Sequence, residues 1–397
     1  MKILRFFTVL LLLLAIEKIF ATPFQVKIIG PEETIYQYAS QHCSPFDFPD
    51  NPVRAFIDNN NQVQLVFGSG ENGFMQNTTG SSLNGPLVHT CTNSSITEPG
   101  TYGQLQAPPS SFNNKLWIVN TWTNDGKTIY ALIHNEFHGE LQSPTYCPSS
   151  QKSKICQYWN LIAANSNDGG KTYQLIHDNH GNIQTALVSP LPFKIGQTGS
   201  IPAQTNIIES NGYYYMLVDV VVPGWPAGMC LFRTNTINDP TSWRGWDGAA
   251  FTVNLSVNPY LFPDKTATTP CQPVTKPIFR FSWTYNTVIH QYLAIGIAPN
   301  FHGQGQTIVY STSPDMLHWA PPRALLQISW MNSNPNQTGI GYPSLLDPSS
   351  AGRNFVYSGA HPYLYYTRFN PRSPEFNRRN RDLVRVPLAV TYKAVDY

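Results

Sequence analysis

Ser166-Asn167-Asp168-Gly169-Gly170-Lys171-Thr172-Tyr173 is a tight turn between two strands. The short Asp accepts nearby backbone N–H groups, the glycines take conformations that other residues avoid, and the aromatic that follows packs inward. Looser copies stand at Asn238-Asp239-Pro240-Thr241-Ser242-Trp243 and at Ser313-Pro314-Asp315-Met316-Leu317-His318-Trp319. Successive copies are roughly 70–80 residues apart, the length of one four-stranded repeat unit.

Five hairpins flank these turns. Their second strands read from β-branched and aromatic content as Val63 to Gly68, Ile129 to Asn135, Tyr213 to Val220, Gln291 to Ile297 and Pro362 to Arg368. Each follows a turn and an earlier apolar run: Val53 to Ile57, Leu116 to Val119, Asn206 to Glu209, Ile278 to Trp283 and Pro343 to Leu346. The expectation is an all-β chain, a five-bladed β-propeller of four-stranded antiparallel blades. Leu383 to Tyr392 reads as a strand completing the last or the first sheet, and no long amphipathic helix is visible.

Lys2 and Arg5 precede an apolar run from Phe6 to Ile16, and Ala21 supplies a small residue for cleavage. Residues 1–21 therefore read as a secretory signal and 22–397 as one propeller domain, secreted or periplasmic. The apolar run is shorter than the roughly 20 residues a membrane helix needs, so membrane insertion is not expected. The chain's formal net charge of +2 resides in the signal. A near-neutral remainder has no field for nucleic acid or membrane surfaces. A monomer is expected. Six cysteines in an exported chain point to disulfides, with Cys147–Cys156 and Cys230–Cys271 plausible by order and Cys43 and Cys91 remaining. Asn77, Asn93, Asn254 and Asn336 stand in Asn-x-Ser/Thr sequences.

The stretch 166–173 is similar to the Asp-box of sialidases. Tyr310-Ser311-Thr312-Ser313-Pro314-Asp315-Met316-Leu317-His318-Trp319 resembles a turn of the five-bladed glycosidases of the arabinanase/xylosidase and invertase type. The resemblance implies a glycoside hydrolase with a catalytic base just before the first inner strand, which is where Asp50 stands. The invertase-type Trp-Met-Asn-Asp-Pro-Asn-Gly segment is absent.

Position within the unit separates structural acids from candidates. Asp58, Asp125, Asp168, Asp239, Asp315 and Asp347 sit in turns away from the ligand face. On the ligand face stands His134-Asn135-Glu136-Phe137-His138-Gly139. Alternation along a strand puts His134, Glu136 and His138 on one side. Glu136 is the leading acid or base and Asp50 its partner. His134, His138, Arg54, Asn206, Asp219 and Arg280 are candidates for substrate contact. Asn300-Phe301-His302-Gly303 repeats Phe-His-Gly at the end of the corresponding strand of the fourth unit, which assigns Phe137 and His138 a structural use. No cofactor is expected; a divalent ion held by His134, Glu136 and His138 is the lesser alternative. The function this predicts is hydrolysis of a carbohydrate by paired carboxylates. The alternatives are a non-catalytic sugar-binding propeller and a protein-interaction scaffold.

Overall fold

The computed structural model describes residues 24–69, 74–98, 100, 108–141, 146–147, 156–197, 199–275, 279–303, 305–329, 336–372 and 379–392. The secretory-signal reading of residues 1–21 lies outside them. Among the described residues no helix is long and apolar enough to cross a membrane.

The chain is all-β, with largely antiparallel sheets in a propeller-like arrangement. The strands form four hydrogen-bonded sheets, not the five separate ones that the repeat predicts. The first and second units account for the difference. Phe48–Ile57, Val63–Ser69, Phe74–Gly80 and Leu87–Ile96 form one antiparallel run, and Lys115–Trp122, Ile129–His138, Gln157–Ser166 and Thr172–Leu175 form another. Their outer edges join through a two-residue parallel pairing, Thr172 with Ser95 and Tyr173 with Ile96, and with Thr185–Leu187 paired to Gln157–Ser166 they form one nine-stranded sheet.

The sheet of the third unit runs from Ser200–Gln204 through Tyr213–Val221 to Met229–Thr234 and Arg244–Trp246. That of the fourth unit contains Phe279–Asn286, Gln291–Ala298, Thr307–Ser313 and Arg323–Gln327. The last combines Gly339–Leu346, Tyr363–Phe369 and Arg381–Tyr392 with the early strands Phe24–Ile28 and Glu33–Tyr36. Arg381–Tyr392 is thus an interior strand of the last sheet, and the beginning of the chain completes it.

The innermost strands lie against one another and exchange side-chain to backbone hydrogen bonds. Asn206 spans the third and fourth units: its Nδ2 donates to the Trp283 carbonyl at 2.9 Å, and its Oδ1 accepts the Trp283 N–H at 2.9 Å. Ser344 donates to the Val53 carbonyl at 2.6 Å, joining the last unit to the first. On the opposite face a loop of the last unit reaches across. Asn354 exchanges two bonds with the Thr123 backbone, at 2.8 and 2.9 Å, and Arg353 caps the Ile57 and Asp58 carbonyls.

Each of the six turn aspartates accepts backbone N–H groups of its own turn. Asp168 also accepts from the Thr172 and Ser166 hydroxyls, while Tyr173 is buried. Three disulfides link Cys43 to Cys91, Cys147 to Cys156 and Cys230 to Cys271.

Hydrogen bonds to an ionised acceptor contribute about 1.5–3 kcal/mol each, less at an exposed turn. Asp168→Ala is expected to lower the urea midpoint, equivalent to about 1–2 kcal/mol, with no change in ligand binding. Burial opposes ionisation of Asp168, but its turn donors outweigh that and depress its carboxyl. Its contribution is therefore full above pH about 4 and vanishes on further acidification. An Asp168→Ala midpoint equal to wild type at pH 7 would refute this.

Candidate functional site

The innermost strand of every unit carries a register shift: between Pro49 and Arg54, Ile118 and Asn120, Ser200 and Ala203, Phe279 and Ser282, and Gly341 and Ser344. Proline cannot donate to a ladder, and a bulge re-aims the side chains beside it. Pro52, Pro202 and Pro343 occupy three of these shifts. Asp50, Pro202 and Tyr342, at three of the shifts, line one pocket with about 480 Å³ of empty space, part of it open to solvent.

The strand Ile129–His138 supplies the rest. Its register sets His134 opposite Trp117, Glu136 opposite Lys115 and Trp159, and His138 opposite Gln157. Trp117, His134, Glu136, Trp159 and Gln204 join Asp50 and Tyr342 in the lining. His134 lies between the two indoles, with ring centroids 6.4 Å from Trp117 and 6.2 Å from Trp159.

Glu136 is clamped on both oxygens. His134 Nδ1 is 3.2 Å from Oε1, and His138 Nε2 is 2.9 Å from Oε2. His138 Nδ1 in turn meets Glu140 Oε1 at 2.8 Å, and Gln157 donates to that same oxygen at 2.6 Å. Carboxylate oxygens face both ring nitrogens of His138, an arrangement that favours the doubly protonated ring. Burial works against the Glu136 charge, but hydrogen bonds and charge from the two histidines outweigh it and hold the carboxyl well below the usual range. Burial likewise disfavours the His138 cation, and its bonds to Glu136 and Glu140 overcome this and raise its proton affinity. With the side chain about 20% exposed, Glu136 is an ionised carboxylate that solvent and ligand can still reach.

Asp50 accepts the Tyr342 hydroxyl at 2.7 Å and is ion-paired with Arg381. Arg381 stacks between Phe48 and Phe369, with its guanidinium 4.4 and 4.8 Å from the ring centroids. Tyr342 has a left-handed backbone, φ 54°, which a bulky residue adopts only under local constraint.

The structure thus brings Asp50, His134 and Glu136 to one pocket, with His138 directly behind. Among the described residues it does not bring Arg54, Asn206 or Asp219 there. Arg54 is buried beside the pocket, donating to the Gln204 carbonyl at 3.2 Å, and burial penalises its charge. The Asn206 amide is committed to Trp283, itself fully buried. Asp219 is buried in the sheet of the third unit opposite Ala203; burial raises its carboxyl to about 6, and its Oδ2 has no hydrogen-bond partner among the described residues. Arg280 is in the strand Phe279–Asn286, but its side chain lies outside the described residues. The Phe-His-Gly likeness between units is not structural. Phe137 and His138 are in a strand, whereas Phe301–Gly303 form a 3-10 turn with His302 left-handed. A divalent ion at His134, Glu136 and His138 would need a free lone pair on His138, whose two nitrogens each face a glutamate oxygen. Asp47 is buried against His89 at 2.8 Å, beside the Cys43–Cys91 disulfide.

Sequence reasoning missed Tyr342, Arg381, Glu140, Trp159 and Gln204. One signal was present: Asn51-Pro52-Val53, Ile201-Pro202-Ala203 and Tyr342-Pro343-Ser344 are the same inner-strand irregularity written three times.

No family model matches the chain, and no curated protein matches its sequence. Among solved structures, the chain is similar to a family 43 β-xylosidase/α-arabinofuranosidase from a compost microbial metagenome, determined with xylotriose in calcium-free form. That match has 10% identity, covers 90% of this chain and 95% of the other, and has a TM-score of 0.44. An α-L-arabinofuranosidase from Lactobacillus brevis gives 11% identity, 87% and 92% coverage and 0.43. A sucrose-6-phosphate hydrolase from Lactobacillus gasseri gives 9%, 88% and 62%, and 0.44. Likeness at this level transfers no residue role.

Two outcomes test the geometry. Glu140→Gln removes one of the two charges that hold the His138 proton, so the His138 imidazole is expected to titrate at lower pH by NMR than in wild type; an unchanged titration would refute the coupling. The stabilisation carried by His138 in the wild type is full below pH about 6.5 and is lost as pH rises through the raised value. Asn206→Leu should lower the thermal midpoint by an amount equivalent to about 2–4 kcal/mol, while ligand affinity stays at the wild-type value. A change in affinity alone would return Asn206 to the ligand.

Proposed function

We propose that the chain is an exported glycoside hydrolase whose five sequence units act as five blades around the pocket of Asp50 and Glu136. The observation that carries this reading is that pocket. Two carboxylates from different units enter it beside the indoles of Trp117 and Trp159. Paired carboxylates are the minimum apparatus for glycosidic cleavage, and aromatic faces suit the C–H faces of sugars. The indole nitrogens of Trp117 and Trp159 and Oε1 of Gln204 are buried without a hydrogen-bond partner among the described residues. Three disulfides suit an oxidising compartment, in keeping with export.

The electrostatics narrow the role of Glu136. Held ionised by two histidines, it serves as base toward water or as the negative charge that stabilises an oxocarbenium-like centre, rather than as the proton donor. Asp50, oriented by Tyr342 and Arg381, faces the ligand from the first unit.

A non-catalytic sugar-binding reading is favoured by one specific fact: both carboxylates already have cationic neighbours, Arg381 for Asp50 and His138 for Glu136. The two readings separate on assay of the purified mature protein against polysaccharides and chromogenic glycosides. Under the hydrolase reading wild type turns over and Glu136→Gln loses about 10²–10⁴-fold in kcat. The acid limb of kcat/KM should also fall below the ordinary glutamate value of about 4.3. Wild-type binding without turnover would establish the binding reading. Full activity in Glu136→Gln would remove Glu136 from the chemistry.

A further inference from the structure

A second cleft lies between the second and third units and shares no residue with the first pocket. It encloses about 800 Å³ of empty space, part of it open to solvent. One wall carries Asp178, Asn182 and Gln184, and the other carries Asn258, Phe262 and Lys265. Phe262 and its neighbour Leu261 are each 46% exposed. This adjacent pair of large apolar side chains is left in water at the mouth of the cleft.

The loop that presents them is braced. Asn258 accepts the Tyr260 N–H at 2.9 Å, and the Asn258 carbonyl accepts the Phe262 N–H at 3.0 Å. The Tyr260 hydroxyl is pinned by the Phe193 N–H at 2.8 Å. Lys265 Nζ stands 5.1 Å from the Phe262 ring centroid. The facing wall is equally fixed: Asp178 accepts the His180 and Asn182 N–H groups at 2.8 and 2.9 Å, and the Asn182 amide at 3.0 Å. The side-chain amide of Gln184 and the Lys265 ammonium make no hydrogen bond or ion pair among the described residues.

We propose that this cleft is a second saccharide-binding site, taking a neutral sugar ring with its C–H face on Phe262 and its hydroxyls on Gln184, Asn258 and Lys265. Asp178 and Lys265 cancel in charge, which disfavours an anionic or a cationic ligand. The aromatic platform with amides around it matches a ring apolar on its faces and polar at its edge. A site of this kind would hold a long chain while the first pocket engages another part of it, through effective concentration. The inference does not depend on Glu136 being catalytic.

Isothermal titration with xylohexaose, cellohexaose and maltohexaose tests it. The double variant Phe262→Ala with Gln184→Ala is expected to bind the hexaose that wild type prefers about tenfold more weakly, while turnover of a short chromogenic glycoside is unchanged. An isotherm identical to wild type would overturn the proposal, and so would wild-type protein that binds none of the three hexaoses. Failure of the catalytic reading shows in Glu136→Gln instead and leaves this measurement unaffected.

Discussion

Strands that converge on one axis leave backbone groups of different sheets facing each other, away from water and beyond reach of their own ladders. An unpaired buried polar group costs on the order of 1–3 kcal/mol, so the ring holds only if side chains supply the missing partners. This chain supplies them in sequence around the ring. Asn206 serves the third and fourth units, Ser282 accepts the Leu345 N–H at 3.1 Å between the fourth and last, and Ser344 reaches Val53 in the first. The first and second units are joined at their outer edges by strand pairing instead, and at a turn by the Asn59 N–H on the Gly126 carbonyl at 2.9 Å.

The axis also determines where the pocket forms. Inner strands cannot remain regular to their tips where they crowd together, and each breaks register near that point. The breaks release Asp50 and Tyr342 from the ladder and turn them toward one another across the junction of the first and last units. Arg381, from a strand almost at the other end of the chain, completes the pair. Ring closure is thus a condition for Asp50 having its partners at all.

Glu136 owes its character to neighbours on its own strand. Two imidazoles at alternate positions keep it ionised, and Glu140 behind His138 keeps that ring charged. Alternating negative and positive groups stabilise each other in a partly buried row in which each alone would be costly. The outcome is a carboxylate that is anionic over a wide pH range yet still partly exposed to the pocket.

Local pattern carried much of this. Period-two alternation placed His134, Glu136 and His138 on one side of a strand, Asp-rich turns marked the repeat, and cysteine order suggested pairs that the structure joins. These features depend on residues a few positions apart, where backbone geometry alone dictates the relation. Near its ends the chain was harder to read: Leu383 to Tyr392 was legible as a strand, but not its place between the first strand of the chain and Tyr363–Phe369. Tyr342 and Arg381 beside Asp50, Trp159 across from Glu136, and the commitment of Asn206 to Trp283 arise from closing the ring and choosing a register. No spacing along the sequence encodes those choices. They were decided by tertiary structure, because only packing sheet against sheet determines which distant polar groups must satisfy one another.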